Sequence, residues 1–580
     1  MTLPGLEITR ADGNLGLPRG GGEKLLVVGY ASGATVGELS TFSQPSNAVD
    51  ELVSGMGLTA LAHILDIAGG TVDFMASAAS VAAANSAVSS SAATGPAITV
   101  AGTAKNLYDA KVRIRKTGAI GVGRFDYSLD GSETFGAVRT IAATVVLPDS
   151  GLTLTFPAVS AATRSGGETG PLVTLTGTPT ALTDYDIIIE VTTTGIVGAG
   201  VFRWSSDGGA TYTSGVTVAA TVVLTGTGLT ANFPAGTYTD DEIYAWTTGY
   251  NLDDVYTFTS TPAQPNVSDL DDARDALLEM SDGRRWKAVL WIARQASASA
   301  AGTVAEAVAG YMADLEDQVR DSRALVDCGE SSVANVHTTF DAIEDLRLAC
   351  FYDDDRIQVA DPIEGWRKPM IPTVVNAAAM VARFTRGTNI GWVGVGQPPN
   401  GGRKPKCSGI SFDERTEGEQ LHDHKINATT THVGKGGYYF VNGLLKSPAG
   451  SDFRYLHWGL AFDKLTQVVA DAMLPYVNSQ QPVKLDGSKT ITAAAAAKIN
   501  GVVNAAIRAA VLEPLRDDGG KGFFSGAEFA IDETVDILTP SKLYITYRGV
   551  PLANIEGVVL TGGLAVSLAG SSETEEEEAA

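Results

Sequence analysis

Near the C-terminal end of the chain Leu543, Ile545 and Tyr547 alternate with Lys542, Tyr544, Thr546 and Arg548, the period-two pattern of a half-buried strand. A shorter alternation, Leu6, Glu7, Ile8, Thr9 and Arg10, opens the chain. Behind it "ADGNLGLPRGGGEK" has the glycines and the missing periodicity of a tether. "KLLVVGYAS" reads as a buried strand, and Ser46 with "NAVDELVSGMG" and "LTALAHILDIAGG" reads as capped helical material. The Ala/Ser/Val stretch "ASAASVAAANSAVSSSAATG" fits either a helix or a linker.

From about residue 256 strands and helices alternate again. Ser268 with Asp271 predicts a capping box for "DLDDARDALLEM", and "WKAVLWIA" predicts a continuous apolar strand. Val304, Val308, Met312, Leu315 and Val319 share one helical face, "ALVDC" predicts a strand, and "AIEDLRLACFYD" a helix leading into a strand. Further on, "GGYYFVNGLL" carries an Asn-Gly turn signal and "DFRYLHWGL" alternates as a strand would. Helices are predicted from Phe462 to about Tyr476 and from about Ala493 to Leu512.

Between these α/β stretches lies an internal duplication. "TGPAITVAGTAKNLYDAKVRIRKTGAIGVGRFDYSLDG" from Thr94 matches "TGPLVTLTGTPTALTDYDIIIEVTTTGIVGAGVFRWSSDG" from Thr169. Phe125 and Phe202, Asp130 and Asp207, and "AATVVL" at Ala142 and at Ala219 keep one constant offset. Short Val/Thr/Ile runs between Asp-Gly and Pro-Ala signals predict two antiparallel, sandwich-like β modules, inserted into an α/β domain that resumes after them. They could bind something or simply decorate the surface. Removal of about 92–250 is expected to leave the rest intact.

With 44% apolar and 19% charged residues the chain has the composition of a folded protein, and its net charge of −24 opposes general nucleic-acid binding. No apolar run of about 18–20 residues predicts a membrane span, and "MTLPGLEITRADG" lacks the blocks of a signal peptide, so a chain folded in the cytoplasm is expected. Cys328, Cys350 and Cys407 are too few and too scattered for a disulfide framework and read as buried thiols.

Candidate chemistry is sparse. His422, His424 and His432 could offer three imidazoles to a divalent ion, with His422 and His424 on one face if they lie on a strand. Asp353, Asp354 and Asp355 could bind Mg²⁺ or Ca²⁺, though an exposed acidic turn is the simpler reading. "GWVGVGQPPNGG" and "GGGEK" lack the spacing of nucleotide loops, and no nucleophile elbow is present. The residues therefore predict no catalytic, metal or cofactor site.

Three stretches carry a resemblance: "KLLVVGYASGATVGELSTFSQPSNAVDELVSGMG", "NATTTHVGKGGYYFVNGLLKSPAGSDFRYLHWGLAFDKLTQVVADAMLPYV", and "INGVVNAAIRAAVLEPLRDDGG" leading into "LYITYRGVPLANIEGVVL". In these the chain resembles the contractile tail sheath proteins of phages and related injection systems. The resemblance implies a multidomain α/β and α+β fold with a sheath-type core. Its parts would be an N-terminal arm (1–21), a middle α/β domain (22–91 and 256–405), outer β repeats (92–168 and 169–255), an inner tube-facing α+β domain (406–540) and a C-terminal arm with an acidic tail (541–580). It implies a structural role without catalysis: hexameric rings stacked helically around a tail tube that contract from a metastable state to drive the tube through an envelope. Implied partners are further copies of the chain, the tail tube protein, and baseplate and tail terminator proteins, in a virion tail assembled in the host cytoplasm. In the family the arms complete a neighbour's inner sheet, which maps onto Leu6–Arg10 and Leu543–Tyr547. The alternative is a surface-layer or adhesin-like protein that binds through its β repeats.

Overall fold

The computed structural model describes residues 24–554 apart from 92–94, 133, 167–169, 181–183, 281–283, 319, 330, 353, 357–369, 396–405, 408–409, 412, 414, 478, 485–486, 518 and 540. The strand read in "KLLVVGYAS" is Leu25–Tyr30, an interior strand of a seven-stranded sheet whose centre is Ala288–Ile292. Across that sheet run Leu39–Phe42, Val72–Ser77, Leu25–Tyr30, Ala288–Ile292, Arg323–Asp327, Leu348–Phe351 and Ile426–Asn427, all parallel except the first. Its strands are nearly continuous apolar runs because helices cover both faces. The seventh strand comes from beyond residue 405, so the α/β domain takes in part of the segment assigned above to the inner domain.

Several local expectations shift. The first helix, Pro45–Leu52, starts at Pro45 rather than at a Ser46 cap, since a proline at the first position gives up no hydrogen bond. The capping box is Asn266 with Asp269, two residues before the predicted pair. Ala342–Arg347 form a turn, not a helix, and the helix there is Val333–Phe340. Leu456 begins a long helix, Leu456–Met473, so the alternation in "DFRYLHWGL" marks its entry and not a strand. Asn442 and Gly443 do not close a hairpin; the Asn442 side chain accepts from the Gly443 N–H at 2.9 Å, and the hairpin Thr429–Thr431/Tyr438–Phe440 turns earlier. The Ala/Ser/Val stretch is neither helix nor linker, because Ala84–Asn85 and Ser89–Ser91 pair with Val255–Thr261.

That pairing changes the reading of the duplication. Each module has the same two sheets. In module 1 the larger sheet runs through Val255–Thr261, Tyr108–Lys116, Arg124–Ser128 and Arg139–Thr140. In module 2 it runs through Ile243–Thr247, Asp186–Thr193, Val201–Ser205 and Thr213–Thr217. The closing strand of module 1 therefore follows the whole of module 2 in the chain, and the modules are nested rather than in tandem at 92–168 and 169–255.

Tyrosine hydrogen bonds give the point of insertion. Tyr256 donates to the Pro96 carbonyl as Tyr244 does to that of Pro171, both at 3.0 Å. Tyr250 donates to the Pro157 carbonyl at 2.9 Å and Tyr238 to that of Pro234 at 2.7 Å. Pro157 and Pro234 are equivalent, so module 1 spans with 93 residues what module 2 spans with four. The strand pair Arg113/Asp126 is also charge-reversed to Glu190/Arg203 at the equivalent positions, each joined by bidentate contacts.

The whole insert enters and leaves at one place. Val81 and Gln264 exchange two backbone hydrogen bonds of 3.0 Å, and Ser80 donates through N and Oγ to the carboxylate of Asp269. An excision of 92–250 would strip Val255–Thr261 of Tyr108–Lys116, its longest partner, and leave it only Ala84–Asn85 and Ser89–Ser91; the clean boundary is 82–263.

Candidate functional site

The last described strand, Ile545–Pro551, pairs antiparallel with Phe524–Ile531, with Ile531 opposite Ile545 and Phe529 opposite Tyr547. In this single chain the C-terminal strand thus joins Phe524–Ile531, in the segment assigned above to the inner domain, where the sequence predicts Leu543–Tyr547 on a neighbour. The physical reason is a half-apolar face. Leu543, Ile545 and Tyr547 pack at the margin of the inner core, Tyr547 stacks on Phe462 with centroids 5.7 Å apart, and its hydroxyl lies 3.0 Å from that of Thr466. Burial raises the Tyr547 phenol above its ordinary range. Tyr544 and Thr546 point to solvent. Leu6, Glu7, Ile8, Thr9 and Arg10 lie outside the described residues.

Only one side of this hairpin is open among the described residues. On the far side of Phe524–Ile531, helix Ala493–Ile507 offers two asparagines. Asn504 accepts from the Phe529 N–H and donates to the Phe529 carbonyl, both at 3.0 Å, and Asn500 accepts from the Ile531 N–H at 3.2 Å. One side chain thereby takes the place of a paired strand residue and blocks that edge. Because backbone direction alternates along an antiparallel pair, the N–H and C=O groups of Ile545, Tyr547 and Gly549 point away from Phe524–Ile531, toward the free edge. Replacing Asn504 by Ala leaves the Phe529 amide without its partner; a loss of about 1–3 kcal/mol in urea unfolding, with increased aggregation, is the expected result.

The hairpin stands on a helix shared by two cores. In Leu456–Met473, Leu456 and Leu460 pack on the α/β core, while Ala461, Leu465 and Val469 pack on the inner core. A buried ionic cluster fixes the same helix to the sheet. Arg323 pairs with Asp463, Arg386 donates to the Leu460 carbonyl at 3.0 Å, and Gln467 donates to the Asp321 carbonyl at 2.8 Å. Arg285 reaches Asp471 at 2.6 Å. The two domains are in this way joined as one body, and Trp458 at 3.1 Å from the Leu552 carbonyl leads the chain end across that junction.

Burial at this junction and above the sheet sets an acid response. His63 is held down to about 4 and His457 to about 3, mainly by desolvation. The unfolded chain then takes up protons below about pH 6.5 that the folded chain refuses, so stability falls on acidification. Asp321, raised to about 6 by burial and then by Asp463, works the other way, taking its proton first in the folded chain. Asp463, raised by burial, acts with Asp321. The two imidazoles refuse a proton over the whole interval from about pH 6.5 downward, so the melting temperature is expected to drop between pH 7 and 4.5, and His457→Gln should flatten that drop.

The imidazole trio separates. His422 lies in helix Thr416–Asp423 and faces, with His432, Trp392 and Arg415, a cleft of about 570 Å³. His424 caps that helix and turns elsewhere: its Nε2 meets Nε2 of His337 at 2.5 Å and its Nδ1 meets Asp341 at 2.6 Å. The strand that would have placed His422 and His424 on one face is a helix, where two positions apart means opposite sides. Among the described residues no group of three or more His, Cys, Asp or Glu side chains could hold a metal. Asp354–Arg356 form a strand rather than an acidic turn, and Asp353 lies outside the described residues. Cys328 and Cys350 are buried and free. The helical stretch Ala493–Leu512 is long and apolar enough to cross a bilayer, contrary to expectation, but Ile499, Val503, Ile507 and Val511 pack it into the inner core.

The chain is similar in structure to sheath tail proteins. A sheath tail protein from Listeria innocua matches at 10% identity over 92% of this chain and 96% of its own length, with a TM-score of 0.39. One from Desulfitobacterium hafniense matches at 9% identity over 94% and 100%, with a TM-score of 0.36. A chain of the six-fold symmetrised baseplate of the anti-feeding prophage matches at 12% identity over 53% and 76%, with a TM-score of 0.34. Scores and identities of this size record a likeness and assign neither activity nor partners. No family model and no curated protein matches the sequence.

Proposed function

We propose that this chain is the structural subunit of a contractile tail sheath. The observation that carries the reading is the terminal hairpin: a half-buried last strand whose free edge is open while the opposite edge is blocked by Asn504. Such a strand can leave its own domain and make the same ladder on another copy, or receive a further strand at its open side. The N-terminal segment Leu6–Arg10, on its Gly-rich tether, is the natural second strand. Leu543–Tyr547 then contribute to the sheet of a neighbour, as in the sequence-level resemblance.

In this reading hexameric rings stack helically around a tail tube, with baseplate and terminator proteins at the ends, in a virion tail or injection particle assembled in the host cytoplasm. The joined α/β and inner domains move as bodies while the arm strands keep the copies connected. Contraction draws on repacking among those bodies, summed over many copies. No chemical step is needed, in keeping with a sequence that predicts no catalytic site.

Negative-stain microscopy of the expressed chain tests the class: long striated tubes are expected, and a purely monomeric preparation at high concentration would contradict the proposal. Removing residues 1–21 should leave a folded chain that forms no ordered tubes.

A further inference from the structure

We propose that the outer faces of the two small three-stranded sheets are matching docking faces for a second copy of this chain. In module 1 the sheet is Thr144–Leu147, Leu152–Thr155 and Thr99–Gly102; in module 2 it is Thr221–Leu224, Leu229–Asn232 and Thr174–Gly177. Their inner faces are core, with Leu147, Leu152 and Leu154 matched by Leu224, Leu229 and Ala231. Their outer faces are grids. Thr144, Thr155 and Thr99 lie in one row of module 1 and Val146, Thr153 and Ala101 in the next. The equivalent rows of module 2 are Thr221, Asn232 and Thr174, then Val223, Thr230 and Thr176.

None of these twelve positions is charged, in a chain of net charge −24. Val146 and Val223 are 66% and 68% exposed, among the most exposed large apolar side chains described. Core packing does not account for a valine facing solvent at the same place in both modules. The duplication sharpens the point. On the other sheet Lys111, Arg113 and Arg115 have become Ile188, Glu190 and Thr192, while here Thr144, Val146, Thr153 and Thr99 recur unchanged as Thr221, Val223, Thr230 and Thr174, and Thr155 and Ala101 have become Asn232 and Thr176, still without charge. The exposed face has kept an uncharged character in both copies while the other sheet gained and lost charges, which fits a demand from outside the module.

Charge indicates the occupant. Two copies, each strongly negative, approach with least repulsion through surfaces that carry no charge. Threonine methyls and the valine give apolar contact, the hydroxyls give hydrogen bonds, and the outer strands of each sheet are open edges among the described residues. One chain bears the face twice, so module 1 of one copy can meet module 2 of the next and the contact can repeat along an assembly.

The inference rests on the self-assembly proposed above, and the experiment separates the two. Full-length Val146→Cys and Val223→Cys chains, singly and combined, are treated with a short bis-maleimide; Arg115→Cys on the charged sheet and the unsubstituted chain give the background. Dimers from mixed single variants and ladders from the double variant, at least tenfold above background, are expected. Val146→Glu with Val223→Glu should weaken self-association in sedimentation at least tenfold, with an unchanged circular dichroism spectrum. Cross-linking no greater than that of Arg115→Cys overturns the docking face. If striated tubes still form in that case, the sheath reading stands without it; cross-links in a chain that never forms tubes keep the face and remove the sheath reading.

Discussion

Replacing residues 159–249 by Gly-Thr is expected to remove module 2 and leave module 1 fully folded. The new link, Pro157-Ala158-Gly-Thr-Tyr250, has the spacing by which module 2 itself joins Pro234 to Tyr238. Tyr250 keeps its bond to the Pro157 carbonyl and its edge contact with Phe156 at 5.5 Å, and Tyr256 keeps its bond to that of Pro96. Deleting 169–255 instead, the boundary that a tandem repeat suggests, removes the fully buried Tyr250 and leaves Thr163–Ser165 without its partner strand. Loss of a buried aromatic side chain alone costs about 3–5 kcal/mol, enough to unfold a module of this size. Hydrogen exchange distinguishes the outcomes: protection across Tyr108–Lys116 and Arg124–Ser128 should persist in the first variant and vanish in the second. Equal protection in both would reject the nested topology. Excision of the whole insert at 82–263 should likewise leave the seven-stranded sheet protected, since Val81 and Gln264 already sit side by side.

Truncation before Lys542 carries the other large effect, the complete loss of ordered tubes from a chain that still folds. The α/β core, with Leu456 and Leu460 of the helix Leu456–Met473, contains no residue of the last strand, which covers that helix at Phe462 and Thr466 and buries Ile545, Tyr547 and their neighbours only in part. At about 25 cal/mol per Å² of apolar surface, uncovering Phe462 and the rim of the inner core costs about 2–4 kcal/mol. The melting temperature should therefore fall by several degrees while far-ultraviolet circular dichroism changes little. Normal tubes from the truncated chain would falsify the arm proposal. A truncated chain that precipitates is resolved by Tyr547→Ser, which keeps the strand but removes the stacking on Phe462 and should shorten or abolish tubes.

The long elements were legible because their patterns are long. Leu25–Tyr30 and Ala288–Ile292 are unbroken apolar runs in a sheet covered on both faces, and the helices at Leu456–Met473 and Ala493–Ile507 hold one apolar face over several turns. Short strands without apolar residues were not legible: Ala84–Asn85 and Ser89–Ser91 contribute backbone to a sheet and nothing to a core. The nesting was hidden because a repeat sought at one offset finds the body of each module and misses its closing strand. The sign was present in "TYTDDEIYAW" against "GYNLDDVYTF", which match at an offset of only twelve, down to left-handed Asp241 and Asp253. At the candidate site, the half-buried face of the last strand was correctly patterned, but its place on Phe524–Ile531 was not readable. Nor was the edge blocked by Asn504, since an asparagine in an Ala-rich helix gives no hint of what its amide meets.

Nesting also turns the modules into a socket. Module 1 accommodates an entire folded body between Ala158 and Tyr250 without disturbing its own sheets, and module 2 has the same junction standing closed at Ala235–Thr237. A further domain whose ends lie close together can be spliced there by the route the chain has already used once. An enzyme, an epitope or a fluorescent reporter at that position would be joined to the chain only through module 2, whose sheets share no strand with the terminal hairpin or with the seven-stranded sheet.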